Sequence, residues 1–202
     1  MLTKLLSRRT VVGFAAGAVA TPFLSGPLHA LTEDGAKQLV NELVGEINAV
    51  IASGKSESAM IRDFERIFQR YADVPIMARY ALGADARTAS SSQIRGFTRA
   101  FQGYIARKYG RRFREFIGGR IEVKSAREIR SGFEIRSTAF LRGQSPFEVT
   151  FLVSDRSGKD LFFNMFIEGV NLLLTERTEI GALLDQRGGN LDQLIRDLPN
   201  LG

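Results

Sequence analysis

The side chains that could carry acid–base or nucleophilic chemistry are scarce in this sequence. None of its 202 residues is a cysteine or a tryptophan, and the single histidine is His29. We expect His29 to be removed with an N-terminal export segment, described below. Thiol nucleophiles, histidine-based triads and zinc sites built from Cys and His are then excluded. Proton transfer would have to rely on carboxylates, lysines or tyrosines.

The remaining acids, serines and lysines form no catalytic set that spacing can identify. Lys124 could serve a serine in a Ser–Lys arrangement, but only the residue types suggest it. An Asp and a Tyr in an apolar pocket could also move protons, which keeps a small pocket enzyme open as an alternative. Glycine motifs that bind nucleotide phosphates are absent. We expect no enzymatic step, no catalytic residue, no metal and no cofactor. The scattered acidic candidates are Asp73, Glu134, Glu148, Asp155, Asp160 and Glu168.

Phenylalanine is the side chain present in excess. The chain has 15 Phe, of which only Phe14 and Phe23 precede residue 31. Most of the others fall on apolar stripes or strands. A curved antiparallel sheet facing several helices can hold more apolar lining than a filled core needs, which favours a pocket for an apolar ligand. The simpler alternative is that the rings pack together as a core.

Positive charge is concentrated between Arg95 and Arg120. This segment holds eight basic residues and one acid, Glu115, with interleaved tyrosines. One interpretation is a surface that faces anionic lipid headgroups or a membrane. The alternative is a solvated helix face that acids elsewhere partly neutralise. Nucleic acid is not expected as a partner, because the chain is predicted to be exported.

The elements that must position these side chains follow from hydrophobic spacing. Apolar stripes predict helices near residues 39–51, 60–71, 76–82 and 94–105, the last capped by a serine run at 90–92. After Gly118 the spacing changes to alternation, which predicts strands near 121–123, 133–141, 147–153 and 161–167 in an antiparallel meander. The last strand is apolar on both faces and is expected to be central. Helices return after it. The fold class is therefore α+β: a twisted antiparallel sheet of about four strands packed against N-terminal and C-terminal helices.

The first thirty residues have the pattern of an export signal. Lys4, Arg8 and Arg9 precede an apolar run, no acid occurs before Glu33, and a small residue, Ala30, ends the stretch. The adjacent arginines resemble a twin-arginine signal, although the general secretory route and an uncleaved anchor stay open. The three basic residues supply half of the net charge of +6. We expect residues 1–30 to be cleaved near Ala30, leaving a single domain, residues 31–202, in the periplasm.

Three stretches together resemble the MlaC family, also called the toluene-tolerance family. They are residues 64–83 followed by 97–109, residues 162–177, and residues 190–198. The most specific part is Ile167-Glu-Gly-Val-Asn-Leu172 followed by Arg177. The chain departs from the family pattern in having Ala84-Asp-Ala86 where a Trp is common, Asn164 and Met165 where an Asp is common, and Asn171 in place of Ser.

The resemblance implies a periplasmic lipid-binding protein. Such a protein would carry phospholipid between outer-membrane and inner-membrane complexes of an ABC-type transport system that maintains outer-membrane lipid asymmetry. The expected partners are a phospholipid ligand, the inner-membrane ABC transporter complex and an outer-membrane lipoprotein complex, with the carrier itself a monomer. The departures keep open a hopanoid-associated branch with a hopanoid-related cargo.

The resemblance also turns the inward apolar positions into candidate lining for an enclosed apolar lipid cavity. The basic helix becomes a candidate headgroup or docking surface, represented by Arg107, Arg111 and Arg114. The candidate lipid-binding residues are Phe64, Phe68, Tyr71, Tyr80, Phe97, Phe101, Tyr104, Phe140, Phe147, Val149, Phe151, Phe163, Met165, Ile167 and Val170.

Overall fold

The structure, a computed structural model, describes residues 30–111 and 117–202 and has the predicted α+β architecture. The expected export segment and Arg114 lie outside the described residues, apart from Ala30. Helices come first: α1 (Glu33–Ala52), α2 (Glu57–Tyr71), α3 (Val74–Leu82) and α4 (Ser91–Gly110), with a 3-10 turn at Gly83–Arg87. Strands follow: β1 (Arg120–Ile129), β2 (Gly132–Phe140), β3 (Phe147–Ser154), β4 (Leu161–Ile167) and β5 (Val170–Asn171). Helices α5 (Leu172–Asp185) and α6 (Leu191–Asp197) and a 3-10 turn at Leu198–Asn200 complete the chain.

The sheet is an antiparallel meander in the order β1-β2-β3-β4-β5. The four predicted strands are confirmed, and a two-residue fifth strand joins them. The expectation that β4 is central is wrong, because among the described residues its outer side pairs only with the two-residue β5 and, through a single bridge at Phe162, with Ala72. Helices α3 and α5 contact β4 instead, so packed helices account for its apolar character.

The helices cover one face of the sheet. Helix α1 contacts β1, β2 and β3, while α2, α3, α4 and α6 pack against one another beside it. The inward positions of the strands alternate, as a half-buried sheet requires. Ile135, Ala139, Val149, Phe151 and Val153 are all buried on this face.

The junction between α2 and α3 is fastened to β4. The Asp73 backbone N–H donates to the Phe162 carbonyl at 2.8 Å, and its carboxylate accepts from the Ile76 N–H at 3.2 Å. Asp73 is therefore the N-cap of α3, with Pro75 in the first turn where its missing N–H costs nothing. This acid, weighed above for catalysis, has a structural role.

The outer edge of the sheet is β1, and a side chain from α1 bonds to it. Asn48 accepts from the Ile121 N–H at 3.2 Å and donates to the Ile121 carbonyl at 3.3 Å. The pairing of β1 with β2 shifts register between Val123 and Ser125, so Lys124 is the extra residue of a bulge.

The turn between β4 and β5 requires left-handed backbone at two successive residues. Ile167 pairs with Val170, and between them Glu168 and Gly169 have φ of 49° and 78°. This is the backbone of a type I′ hairpin, which favours glycine at the second position. Asn171 then caps α5 by accepting from the Leu174 N–H at 3.0 Å. Within the described ranges, no helix combines the length and the apolar character needed to cross a bilayer.

Candidate functional site

An apolar cavity of about 440 Å³ lies between the inner face of the sheet and helices α1, α2 and α4. Its volume falls in the range of small-molecule binding sites, and its lining is predominantly apolar with a few polar groups, as such sites usually are. The polar groups Gln144, Ser145 and Glu168 are exposed and so mark the mouth. The full lining is Ile47, Phe64, Tyr109, Ile121, Leu141, Gln144, Ser145, Phe147, Val149, Phe151, Met165, Ile167 and Glu168.

Two neighbouring strands, β3 and β4, form one wall of the cavity. Phe147, Val149 and Phe151 point inward from β3 at a spacing of two residues. Val149 pairs with Ile167 and Phe151 pairs with Met165, so two cross-strand pairs present their side chains together. Alternation in the sequence therefore accounts directly for this wall.

A register shift changes which phenylalanine of β4 points inward. Leu152 pairs with Asn164, but Val153 pairs with Phe162, so Phe163 is the extra residue of a bulge. As a result Phe162 is buried in the core, whereas Phe163 lines neither cavity described here. The expectation of Phe163 as a lining residue shifts by one position, since one residue inverts the face of a strand.

A second, smaller cavity of about 60 Å³ adjoins the first among the helices and β4. Phe64, Tyr109 and Met165 line both cavities and therefore stand between them. The other residues of the smaller cavity are Phe68, Met77, Ile105, Phe162, Asn164, Leu172, Leu173 and Glu176.

A cluster of charged and phenolic groups joins α4 to α5 beside the smaller cavity. Lys108 Nζ donates to Glu176 Oε1 at 2.7 Å and also pairs with Glu179. Tyr109 donates to Glu176 at 2.5 Å, and Tyr104 donates to Glu179 at 2.6 Å. The Lys108 ammonium also lies 5.5 Å from the ring centre of Tyr104 and 5.7 Å from that of Tyr109. We call Tyr104, Lys108, Tyr109, Glu176 and Glu179 the α4–α5 cluster.

The cluster holds its charges despite being partly buried. Burial alone would raise the pKa of Glu179, but hydrogen bonds from Lys108 and Tyr104 lower it overall. Burial alone would lower the pKa of Lys108, but its bonds to Glu176 and Glu179 raise it. Burial and the bond to Glu179 raise the pKa of Tyr104 well above its ordinary value, so this phenol stays protonated. The ion pair between Lys108 and Glu179 and the donor hydroxyl of Tyr104 therefore persist at neutral pH.

Of the aromatic and apolar candidates from the sequence, seven lie at the cavities. Phe64, Phe147, Val149, Phe151, Met165 and Ile167 line the larger one, and Phe68 lines the smaller one. These residues are brought together by α2, β3 and β4. Contact with a lipid stays a prediction for each of them.

The remaining candidates lie elsewhere. Phe97, Phe101 and Tyr104 are buried between α4 and its neighbouring helices, where they form a filled core. Their rings pack in sequence, with centroids 5.7 and 6.4 Å apart. Periodicity correctly placed them inside, but an inward position does not distinguish a packed core from a cavity.

Four others occupy surface or junction positions. Tyr71 donates to Glu46 at 2.9 Å, and Tyr80 is exposed under the Arg177 guanidinium, 5.2 Å from its ring centre. Phe140 lies beneath Arg120, with 4.3 Å between guanidinium and ring centre, and Val170 is exposed in β5.

The cations of the predicted basic surface differ in their contacts and exposure. Arg107 donates to the carbonyls of Leu198 and Leu201 at 2.7 and 3.2 Å, and burial lowers its pKa. It therefore fastens the C-terminal segment to α4 and is not a free headgroup contact. Lys108 belongs to the α4–α5 cluster. Arg111 is exposed at the end of α4, and its role in docking stays a prediction.

The acids considered for catalysis mostly have structural partners. Glu134 bonds to Arg127 and Arg136, which lower its pKa despite partial burial, and Asp155 accepts from the Leu31 N–H at 3.0 Å. Only Glu168 among them lines a cavity. In the part of the chain that the structure describes, no group of three or more His, Cys, Asp or Glu could hold a metal ion.

Several lining residues were not among the sequence candidates. Ile47, Ile121 and Leu141 belong to correctly predicted stripes, yet nothing in their spacing marks them as facing a cavity. Tyr109 and Glu176 are the more informative omissions. Their pairing across 67 residues depends on how α5 returns to α4, which local pattern does not reveal.

Comparison with known proteins agrees with the geometry. The family model described as MlaC protein matches residues 37–200. A solved structure of a phospholipid-binding protein from Ralstonia solanacearum, in complex with a phospholipid, superposes with a TM-score of 0.69 at 19% sequence identity. The alignment covers 82% of this chain and 95% of that one. No curated protein sequence matches the chain.

Proposed function

We propose, from the premise that this chain belongs to the MlaC protein family, that it is a phospholipid-binding carrier with no chemical step. The observation that carries the proposal is the 440 Å³ apolar cavity, open to solvent at a polar mouth. An acyl chain would occupy the apolar part and the headgroup would stay at the mouth. The bound phospholipid of the Ralstonia solanacearum protein, which shares the fold, supports this ligand class.

The lining favours capture of acyl chains without strict selection. Burial of each methylene contributes about 0.8 kcal/mol, so a chain of ordinary length supplies ample driving force. Phe, Val, Ile and Met side chains make few directional contacts, and the walls should accept chains of different saturation. Discrimination between lipids would then rest on the mouth groups Gln144, Ser145 and Glu168. Release requires a partner that opens or competes with the cavity.

The wider role that we propose is transfer of phospholipid between membrane complexes. The carrier would be exported, lose residues 1–30 and move through the periplasm between an outer-membrane lipoprotein complex and an inner-membrane ABC transporter complex. Family membership supports transport as the role. The charge pattern of residues 1–30 supports export, and the exposure of Arg111 at the end of α4 supports a docking role for this residue.

The test is analysis of what the protein carries. The protein is purified under native conditions, extracted with organic solvent, and its lipids are identified by mass spectrometry. We expect phospholipid to co-purify with the protein. Val149→Glu, which places a charge in the cavity wall, should empty it, whereas Val170→Glu on the exposed β5 should not. A wild-type protein that neither carries lipid nor takes it from vesicles would contradict the proposal.

The same extraction separates the alternatives. Hopanoid-related lipid in place of phospholipid would assign the chain to the hopanoid-associated branch. If the lipid released from the protein differs chemically from the lipid that was supplied, the protein would be an enzyme.

A further inference from the structure

The two cavities share one wall, and that wall consists of three side chains. Phe64 from α2, Tyr109 from α4 and Met165 from β4 line both the larger and the smaller cavity. Alone, the smaller cavity of about 60 Å³ is far below the roughly 300 Å³ at which small-molecule sites begin. It becomes useful to a long ligand only as an extension of the larger one.

The three side chains differ in how firmly they are held. Tyr109 is fixed at its hydroxyl by the 2.5 Å bond to Glu176, which the Lys108 ammonium holds in turn. Phe64 stacks on Phe68 with ring centres 6.4 Å apart. Met165 is only partly buried, and methionine combines an unbranched side chain with three rotatable bonds, so it adapts to irregular space.

From these contacts we infer that the Phe64–Tyr109–Met165 partition sets the acyl-chain length that the carrier accepts. The inference rests on the proposed function. Tyr109, braced by the α4–α5 cluster, is the fixed part of the partition, and Met165 is the part that yields. A chain that fills the larger cavity stops against the partition, and a longer one must displace Met165 to enter the smaller cavity.

The chemistry of the smaller cavity fits the tail of an acyl chain. Beyond the partition, six of its lining residues have hydrocarbon or thioether side chains: Phe68, Met77, Ile105, Phe162, Leu172 and Leu173. Of its two polar residues, Asn164 accepts from the Met165 and Leu173 backbone N–H groups, and Glu176 Oε1 is held by Lys108 and Tyr109. Asn164 Oδ1 and Glu176 Oε1 therefore have partners within the protein, whereas Glu176 Oε2 is buried without a hydrogen-bond partner.

The test is the dependence of affinity on chain length for Met165→Ala and a matched control. Ile167→Ala removes a side chain of similar size from the same strand and face, but Ile167 lines only the larger cavity. Lysophospholipids of one headgroup with saturated chains of increasing even length are titrated against purified protein. Each accommodated methylene adds about fourfold in affinity, as 0.8 kcal/mol implies, until the chain reaches the partition.

In the wild type the affinity should stop rising at one chain length. In Met165→Ala the rise should continue for about two further carbons, an increase of roughly fifteenfold at the new maximum. Ile167→Ala should leave the length of the maximum unchanged. Tyr109→Phe, which keeps the ring but loses its anchor, should broaden the maximum towards longer chains.

The outcomes separate this inference from the proposed function. If the wild type binds none of the lysophospholipids, the proposed function fails. If it binds them but Met165→Ala and Ile167→Ala keep the same maximum, or shift it equally, the partition does not set the length. Unchanged selectivity in Tyr109→Phe would overturn the role of the α4–α5 cluster as the brace, even if Met165→Ala does not fold.

Discussion

Two regions of the interior use the same side chains to opposite effect. Around α4, Phe97, Phe101 and Tyr104 are almost entirely buried and their rings contact one another. Beneath β3 and β4, Phe64, Phe147 and other apolar residues surround empty space. Helices can adjust their spacing until side chains interdigitate, but a sheet fixes its strands at one spacing and leaves a gap where no helix reaches. In this protein the larger cavity accordingly lies where the sheet forms one wall.

The first prediction sets the stability cost in each region. Phe101→Ala should lower the free energy of unfolding by about 3–5 kcal/mol, because it opens a hole in close packing. Phe147→Ala, at the half-buried cavity wall, should cost less than half as much, since its ring faces space on one side. Denaturant unfolding of the lipid-free proteins measures both. Equal costs would mean that the two regions are packed alike.

The second prediction concerns the α4–α5 cluster, which links the filled region at Tyr104 to the cavity at Tyr109. Lys108→Met leaves Glu176, which is 2% exposed, without its cation. We expect a loss of about 3 kcal/mol, at the low end for a broken buried pair because Lys108 is a quarter exposed. Lys124→Met, at an exposed pair on β1, should cost less than about 1 kcal/mol.

The cluster also predicts a pH dependence. The lowered pKa of Glu179 gives stability that is present above its ordinary value of 4.5 and is lost as pH falls below it. The raised pKa of Lys108 gives stability that is present below 10.5 and is lost as pH rises past it. The difference in unfolding free energy between wild type and Lys108→Met should therefore be largest between these limits. A difference independent of pH would contradict the assignment.

The third prediction compares two positions on one strand face. Val149 borders the cavity, whereas Val153, four residues along β3, is fully buried. Val153→Phe should cost about 1–3 kcal/mol through overpacking, and Val149→Phe should cost less than about 1 kcal/mol. Val149→Phe should nevertheless reduce co-purified lipid at least tenfold. Thermal unfolding and lipid extraction on both variants provide the measurements, and a Val149→Phe protein with full lipid content would show that its ring does not enter the cavity.

The smallest expected effect is at the mouth. Glu168 has φ of 49°, a conformation that costs most residues about 1 kcal/mol. The Glu168→Gly and Glu168→Asn proteins should have a free energy of unfolding that exceeds that of the wild type by less than about 1 kcal/mol. Thermal unfolding measures the difference. If both retain lipid of unchanged headgroup composition, the carboxylate at the mouth has no part in selection.

The sequence predicted the secondary structure well because its signals are local. The serine cap of α4 and the alternation of β3 both appear where expected. The family prediction is confirmed by the match to residues 37–200. What local pattern missed was the bulge at Phe163, since a single inserted residue has no distinct signature, and with it the face on which each β4 side chain lies.

Long-range contacts limited the prediction of the site. Arg107 and Lys108 were read together as part of one basic surface, yet Arg107 bonds to carbonyls about 90 residues away and Lys108 lies between two acids of α5. Charge runs indicate where cations occur but not which of them acquire partners. Phe101 and Phe151 could not be told apart from the sequence for the same reason. The packing of whole elements determines that Phe151 lines the cavity and Phe101 does not.

The amide of Asn48 has a consequence for how copies of this chain behave together. By bonding to both backbone groups of Ile121, it occupies a place on β1 where another chain could add a strand. The Lys124 bulge and the charges of Arg120 and Arg127 discourage such growth along the rest of the edge. A protein with a large apolar cavity must keep the cavity walls from contacting other molecules. It must also prevent strands of other copies from pairing with the edge of its sheet, because either contact would lead to aggregation at high concentration. Asn48 is where we expect that protection against amyloid-like assembly to begin.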